Sequence, residues 1–350
     1  MFPPNNPGLK LDNFLSLAEC WLARAGDDPL ELEISRSPST QTVLSFLSRR
    51  SCQWRTLSFA LRAPHAFPNA EITSRVPLLT TLSISMSMDN EGASGGITAF
   101  HDAPSLREVK LSVSSPRCIS LPWRQLTFLE LTTTDLYNCL DVLGQTQDLQ
   151  VLIIYLTHRT LFISHEESSP FDLVRLHTLN FLYSGDGSLL DYLTLPALET
   201  LQCSYLNDEG ANRLMSLALR SSWSLRCIHF SNCPSRTYIP CLRYIPSVER
   251  VEIDHRQHTA LPLFELLRTD TVDFLPALRM LTVTDGSSDI SSLAIPEMLL
   301  ARRSGATPNL RSFTFFFSGK PVANRGADGG IRDSVRGLVS DGLNVELTEY

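Results

Sequence analysis

Several things are missing from this sequence of 350 residues. No stretch approaches 18 uninterrupted apolar residues, which removes a membrane-spanning helix from the expectations. The opening Met1 to Gly8 is rich in Pro and Asn, with neither a basic region nor an apolar core of a secretory leader. Lys and Arg are scattered among a slight excess of Asp and Glu, giving a formal charge of -7 with no basic run. Binding to a phosphate backbone needs clustered cations, so no nucleic-acid partner is expected. The eight cysteines include no Cys-x-x-Cys pair, and without a leader they are expected to be reduced and mostly buried. These absences point to an intracellular protein, cytoplasmic or nuclear, with no membrane partner.

Chemical signatures are equally scarce. There is no Gly-x-Ser-x-Gly elbow and no recognisable cysteine-nucleophile signature. Five residues separate Cys227 from Cys233 and seven separate Cys233 from Cys241, beside His229, wider than the two to four residues usual between paired zinc cysteines. They are expected to belong to core and loop. His255 and His258 with Asp254 are read as a solvated turn at a strand end. Gly92, Gly95 and Gly96, and later Gly326, Gly329 and Gly330, lack the lysine of a phosphate-binding loop and are read as loops. The expectation is therefore no enzyme activity, no catalytic residue, no metal and no cofactor.

What the sequence does contain is a repeated phrase. An apolar residue, usually Leu, is followed by two residues, an apolar residue, one residue and another apolar residue, often with Pro just ahead. It occurs around Leu57, Leu82, Val109, Leu129, Leu152, Leu179, Leu201, Ile228, Val251, Leu281 and Phe313. The ten steps from residue 57 to residue 313 average about 26 residues, inside the roughly 20–29 of leucine-rich repeats. The closing pair of apolar residues is two apart, so both face one side of a short strand. Such a strand cannot bury itself alone, but a parallel stack of them forms a continuous core. Between phrases, Thr42–Arg49, Leu140–Gly144, Glu209–Arg220, Leu261–Arg268 and the stretch from Ile295 to Arg303 carry helical spacing. An ordinary doubly wound sheet is the alternative; it would need longer strands and, for a nucleotide, a glycine-rich turn.

The fold expected is thus α/β, a leucine-rich-repeat-like solenoid with parallel strands on a concave face and helices or irregular segments on a convex one. Residues 1–28 are expected to form an N-terminal helical cap, with Leu15, Ala18 and Leu22 on one face. Residues 29–350 form the solenoid, closed by a C-terminal cap over about 319–350. In that cap a helix over Ile331–Leu338 and a strand over Asn344–Leu347 are expected to cover the apolar run Phe313–Phe317, a hazardous edge if left bare. Side chains between and beside the inward pair face the concave surface, and there the candidate binding residues are Lys110, Glu130, Tyr155, Asn180, Gln202, His229, Glu252, Asp254 and Phe316. Their smaller neighbours include Ser58, Ser83, Ser85, Ser112, Ser204 and Ser231.

Several phrases also resemble a family of F-box/leucine-rich-repeat proteins of mushroom-forming fungi. They are Trp21-Leu22-Ala23-Arg24-Ala25-Gly26 with Pro29-Leu30, Trp54-Arg55-Thr56-Leu57, Phe100 to Arg107, Leu121 to Thr127, and Leu195 to Glu199. The resemblance implies the target-recognising half of a cullin ubiquitin ligase subunit. It implies a Skp-type adaptor as partner only if an F-box lies upstream, since none is visible in the residues before Trp21. This chain by itself is expected not to bind the adaptor. The alternative is a repeat scaffold or inhibitor-like binding protein unrelated to ubiquitination. Either way the expected partner is an unidentified target protein.

Overall fold

The computed structural model describes residues 11–69, 72, 76–86, 96–133, 136–156, 170–185, 187–255, 259–285, 294–304, 309–317, 339 and 342–349. The chain divides into two compact units, residues 1–163 and 164–350. The fold is α/β, and thirteen strands in chain order build its large parallel sheet, six in the first unit and seven in the second.

The first unit contains α1 (Leu11–Ala25), β1 (Leu30–Ile34), α2 (Thr40–Leu47), β2 (Trp54–Leu61), β3 (Thr81–Met86), β4 (Glu108–Ser112), β5 (Phe128–Thr133), α3 (Leu136–Leu143) and β6 (Val151–Leu156). Its strands pair parallel, each with its sequence neighbour. The register aligns the phrase with itself: Leu57, Leu82, Val109, Leu129 and Leu152 form one row, and Phe59, Ile84, Leu111, Leu131 and Ile154 the next. All ten are buried. The residue three positions before each first row member (Trp54, Leu79, Leu106, Leu126 and Leu149) is fully buried as a third row. Phe59, Phe67 and Phe100 close the core beneath β2 with ring centroids 5.2 to 6.4 Å apart. Helix α1 ends at Gly26, whose φ of +59° suits a helix C-terminus; its carbonyl accepts from Gln53 Nε2 at 2.8 Å.

The second unit contains β7 (Phe171–Asp172), β8 (Thr178–Gly185), β9 (Leu193–Thr194), β10 (Thr200–Leu206), α4 (Asp208–Ser221), β11 (Cys227–Ser231), α5 (Ser235–Arg243), β12 (Arg250–His255), α6 (Leu261–Thr269), β13 (Met280–Asp285), α7 (Ala294–Ser304), β14 (Ser312–Phe317) and β15 (Asn344–Glu349). Strands β7 and β9 pair only with each other. The other seven pair parallel in sequence order, with Leu201, Ile228, Val251, Leu281 and Phe313 in one fully or nearly fully buried row. Strand β15 does lie beside β14, as the apolar edge demanded. The expected helix over Ile331–Leu338 falls outside the described residues.

The proline that so often precedes the phrase has a local explanation. In five places a backbone N–H closes a turn onto the carbonyl three residues back, with Pro in the second position: Val76–Leu79, Ala103–Leu106, Leu195–Leu198, Ile245–Val248 and Leu275–Leu278. Proline is pre-set for that position and its missing N–H is not needed there. The turn swings the first Leu of the phrase into the core.

Helices form where the connection carries a 3.6-residue pattern. Helix α4 is capped by Asn207, whose side chain accepts from Gly210 N at 2.8 Å. Acidic Asp208 and Glu209 stand in its first turn and Arg220 in its last, matching the helix dipole. Helix α7 buries Ile295, Met298 and Leu299 together with Arg302. The guanidinium of Arg302 donates to the carbonyls of Leu267, Asp270, Phe274 and Leu275 at 2.6 to 3.4 Å. It holds the α6–β13 loop, where Leu275 adopts a φ of +53°. Among the described residues no helix is long and apolar enough to cross a membrane.

Candidate functional site: the open face of the sheet

Alternation along each strand leaves one face of the sheet free of core residues. In the first unit, one open-face row runs Glu33, Ser58, Ser83, Lys110, Glu130, Ile153, and the next Ala60, Ser85, Ser112, Thr132, Tyr155. Lys110 is exposed, while Glu130 and Tyr155 are half-buried. Two of the expected residues meet: Lys110 Nζ lies 3.3 Å from Glu130 Oε2 and 5.6 Å from the centroid of the Phe128 ring. Part of Lys110 is therefore engaged with its own neighbours.

In the second unit, Asn180, Gln202, His229 and Glu252 lie side by side in one row, continued by Thr282 and Thr314. Asp254 and Phe316 share the adjacent row, with Thr284 between them. All six expected residues here are half-buried. Ser204, expected on this face, is buried at 6% exposure, because β10 changes register just after it. The carboxylate of Glu252 is close enough to Cys227 to act on it: burial pushes the Cys227 thiol up, Glu252 adds to the rise, and Arg250 opposes it.

Sequence reasoning identified the first strand but did not list its glutamates, or the position ahead of the inward pair, among the binding candidates. Glu31 and Glu33 on β1 and Glu108 on β4 are exposed, and Phe128 and Val151 half-buried, on the same face of the first unit. The signal was present in Leu30-Glu31-Leu32-Glu33-Ile34, whose strict alternation already assigns both glutamates to the open side. Tyr205 was also missed. It sits at the β10 irregularity with a φ of +56° and 57% exposure, and no sequence pattern marks that bulge.

Outside this face, the side chains clustered around Tyr238 and His255 are enclosed, whereas Cys20 and Cys52 are exposed. His255 is not in a solvated turn: β12 runs through it, and it is fully buried. Its Nε2 lies 3.0 Å from the Tyr238 hydroxyl, and Tyr238 in turn stacks on Phe230 at 5.5 Å. Burial, and then the nearby Asp285, push the Tyr238 phenol far up. Asp285, also fully buried, accepts from Ala260 N at 2.8 Å, next to the start of α6. His258 lies outside the described residues. Cys233 and Cys241 are buried as expected of core and loop; burial drives their thiols up to about 11 and about 12. Thiols so placed are poor nucleophiles. All eight cysteines are free, and among the described residues no three His, Cys, Asp or Glu group to hold a metal.

No family model matches the chain, and no curated protein matches it either.

Proposed function

We propose that this chain is a protein-binding module of the leucine-rich-repeat type, a curved solenoid whose open sheet face is its concave, partner-receiving surface. The observation that carries this is the face itself. It is polar on nearly every strand, and its polar side chains do nothing for the core. Its bulkier members (Lys110, Glu130, Tyr155, His229, Glu252 and Phe316) stand among serines and threonines that leave room for a partner. Large side chains set in low surroundings are the pattern of interface anchors. The enclosure of Tyr238, His255, Cys233 and Cys241 weighs against chemistry at that cluster. The phrase-level resemblance to fungal F-box/leucine-rich-repeat proteins makes the recognising half of an intracellular ubiquitin-ligase receptor the preferred setting.

The test is positional. A photo-crosslinking amino acid is placed at Ser83 or Thr282 on the open face, and at Gln145 or Ser216 on the connections of the opposite side. Irradiation in cells of the source organism should give discrete protein adducts from the first pair and little from the second. Adducts confined to Gln145 and Ser216 would contradict the assignment of the face.

A further inference from the structure

We propose that the open face of the first unit receives a bipartite segment of its partner, a cluster of Lys or Arg residues followed by an apolar anchor. This rests on the binding role argued above and specifies the chemistry of what is bound.

The first observation is uncompensated charge beside a low floor. Glu31 and Glu33 are two apart on β1, so both carboxylates project on the open side, where they are exposed. Glu108, also exposed, projects from β4. Between them β2 and β3 present only small side chains: Thr56, Ser58, Thr81 and Ser83. At about 4.8 Å per strand, the two carboxylate walls stand roughly 14 Å apart. Glu31 and Glu33 form no ion pair among the described residues, and Glu108 meets only the Thr81 hydroxyl, at 3.5 Å. Glu130 is different, because Lys110 already pairs with it at 3.3 Å. Among the described residues no ion pair joins Arg55, at the start of β2, or Arg62, just past its end, to these three glutamates. A cationic segment lying across β2 and β3 supplies what this trough lacks.

The second observation is independent of charge. Strand β6 reads Val-Leu-Ile-Ile-Tyr-Leu and is apolar on both sides. Leu152 and Ile154 are fully buried in the core. Val151, Ile153 and Tyr155 project to the open face, half-covered, with Phe128 of β5 beside Val151 in register. Strands apolar on both faces are characteristic of sheets covered on both faces. The apolar strip lies roughly 10 Å from β4 and 24 Å from β1. An extended chain of about seven residues covers that span at about 3.3 Å each, placing basic residues over β1–β4 and apolar ones over β5–β6.

The probe is a fluorescein-labelled ten-residue peptide with arginine at three of its first four positions and Leu-Phe-Leu at its seventh to ninth. Its anisotropy is followed against the full chain. One control peptide carries glutamate for arginine, and another serine for Leu-Phe-Leu. Saturable binding is expected for the probe and at least about tenfold weaker binding for each control. Replacing Glu31, Glu33 and Glu108 together by Lys should weaken the probe about tenfold, as should Ile153→Ser with Tyr155→Ser. Because substitutions on β1 can disturb folding, the salt dependence of the unmodified chain is a second readout: affinity should fall as ionic strength rises. Equal binding of the glutamate peptide, salt-independent binding, or no binding of any peptide would overturn the proposal. Crosslinking from Ser83 reports separately whether the face binds protein at all, so the two readings fail in distinguishable ways.

Discussion

The two units carry the same strand phrase but connect it differently. In the second unit, four successive connections fold as α-helices, α4 to α7. In the first, helices α2 and α3 occupy the β1–β2 and β5–β6 connections, but β2–β3 contains a 3-10 turn at Pro64–Ala66 and β4–β5 contains two, at Pro116–Cys118 and Trp123–Gln125. Proline explains the contrast. Pro64 and Pro116 start a turn well, because the first position needs no N–H. Pro68 and Pro122 then follow within six residues and push the residue before them out of the helical region. The sheet tolerates either connection, since its core depends on the three apolar positions of the phrase. Strand spacing and core are thus set by one part of each repeat, and the outer layer by another.

That division can be broken most forcefully at the phrase. Leu129→Ala in the first unit and Leu281→Ala in the second each remove a side chain no more than 1% exposed. Each should cost about 2–5 kcal/mol of unfolding free energy in urea titrations, and similar losses in both would confirm that the row is equivalent in the two. Next comes Arg302→Met, which keeps the bulk and removes the four carbonyl contacts. A loss of about 2–3 kcal/mol is expected, read by the fluorescence of Trp223, the single tryptophan between residues 164 and 350. An unchanged transition would show that the α6–β13 loop holds itself.

The thiols of the second unit should make it sensitive to alkali. Cys233 and Cys241 titrate at about 11 and about 12 when folded, against roughly 8.5 in an unfolded chain. The unfolded state then binds fewer protons above pH 8.5, so stability should fall as pH rises from about 8.5 towards 11. Cys233→Ala should flatten that decline; an unaltered slope would remove the thiol from the explanation. Smaller still is Pro104→Ala, which frees the unfolded backbone at a turn that uses the ring's fixed angle, at a cost of about 0.4–1 kcal/mol. Smallest is Lys110→Ala. Its pair with Glu130 has 48% and 27% of the side chains exposed, and thermal melts should register less than about 1 kcal/mol.

The repeat made the core legible from sequence, because three apolar positions at fixed offsets have few alternatives to facing inward. Helices α4, α6 and α7 were legible for the same reason, through their 3.6-residue spacing. Helix α5 was not: it carries Pro240 in its interior, and its Ser-Arg-Thr-Tyr start gives little apolar pattern. His255 misled because a histidine between an aspartate and an arginine looks solvated. Its burial depends on Tyr238, seventeen residues earlier and brought beside it by the fold. The open face was half legible. The residues flanking the inward pair could be listed by counting, but the lack of an ion pair at Glu31, Glu33 and Glu108 among the described residues, and the pairing of Lys110 with Glu130, depend on which strands become neighbours.

The most direct test of the account compares one substitution on each side of the sheet. Once a protein is crosslinked from Ser83 and identified, its affinity is measured for Ser83→Arg, on the open face, and for Gln145→Arg, on the connection after α3. The account predicts that Ser83→Arg abolishes or severely weakens binding while Gln145→Arg leaves it unchanged. Undiminished binding by Ser83→Arg together with loss in Gln145→Arg would contradict it, and would move the functional surface to the helix-bearing side.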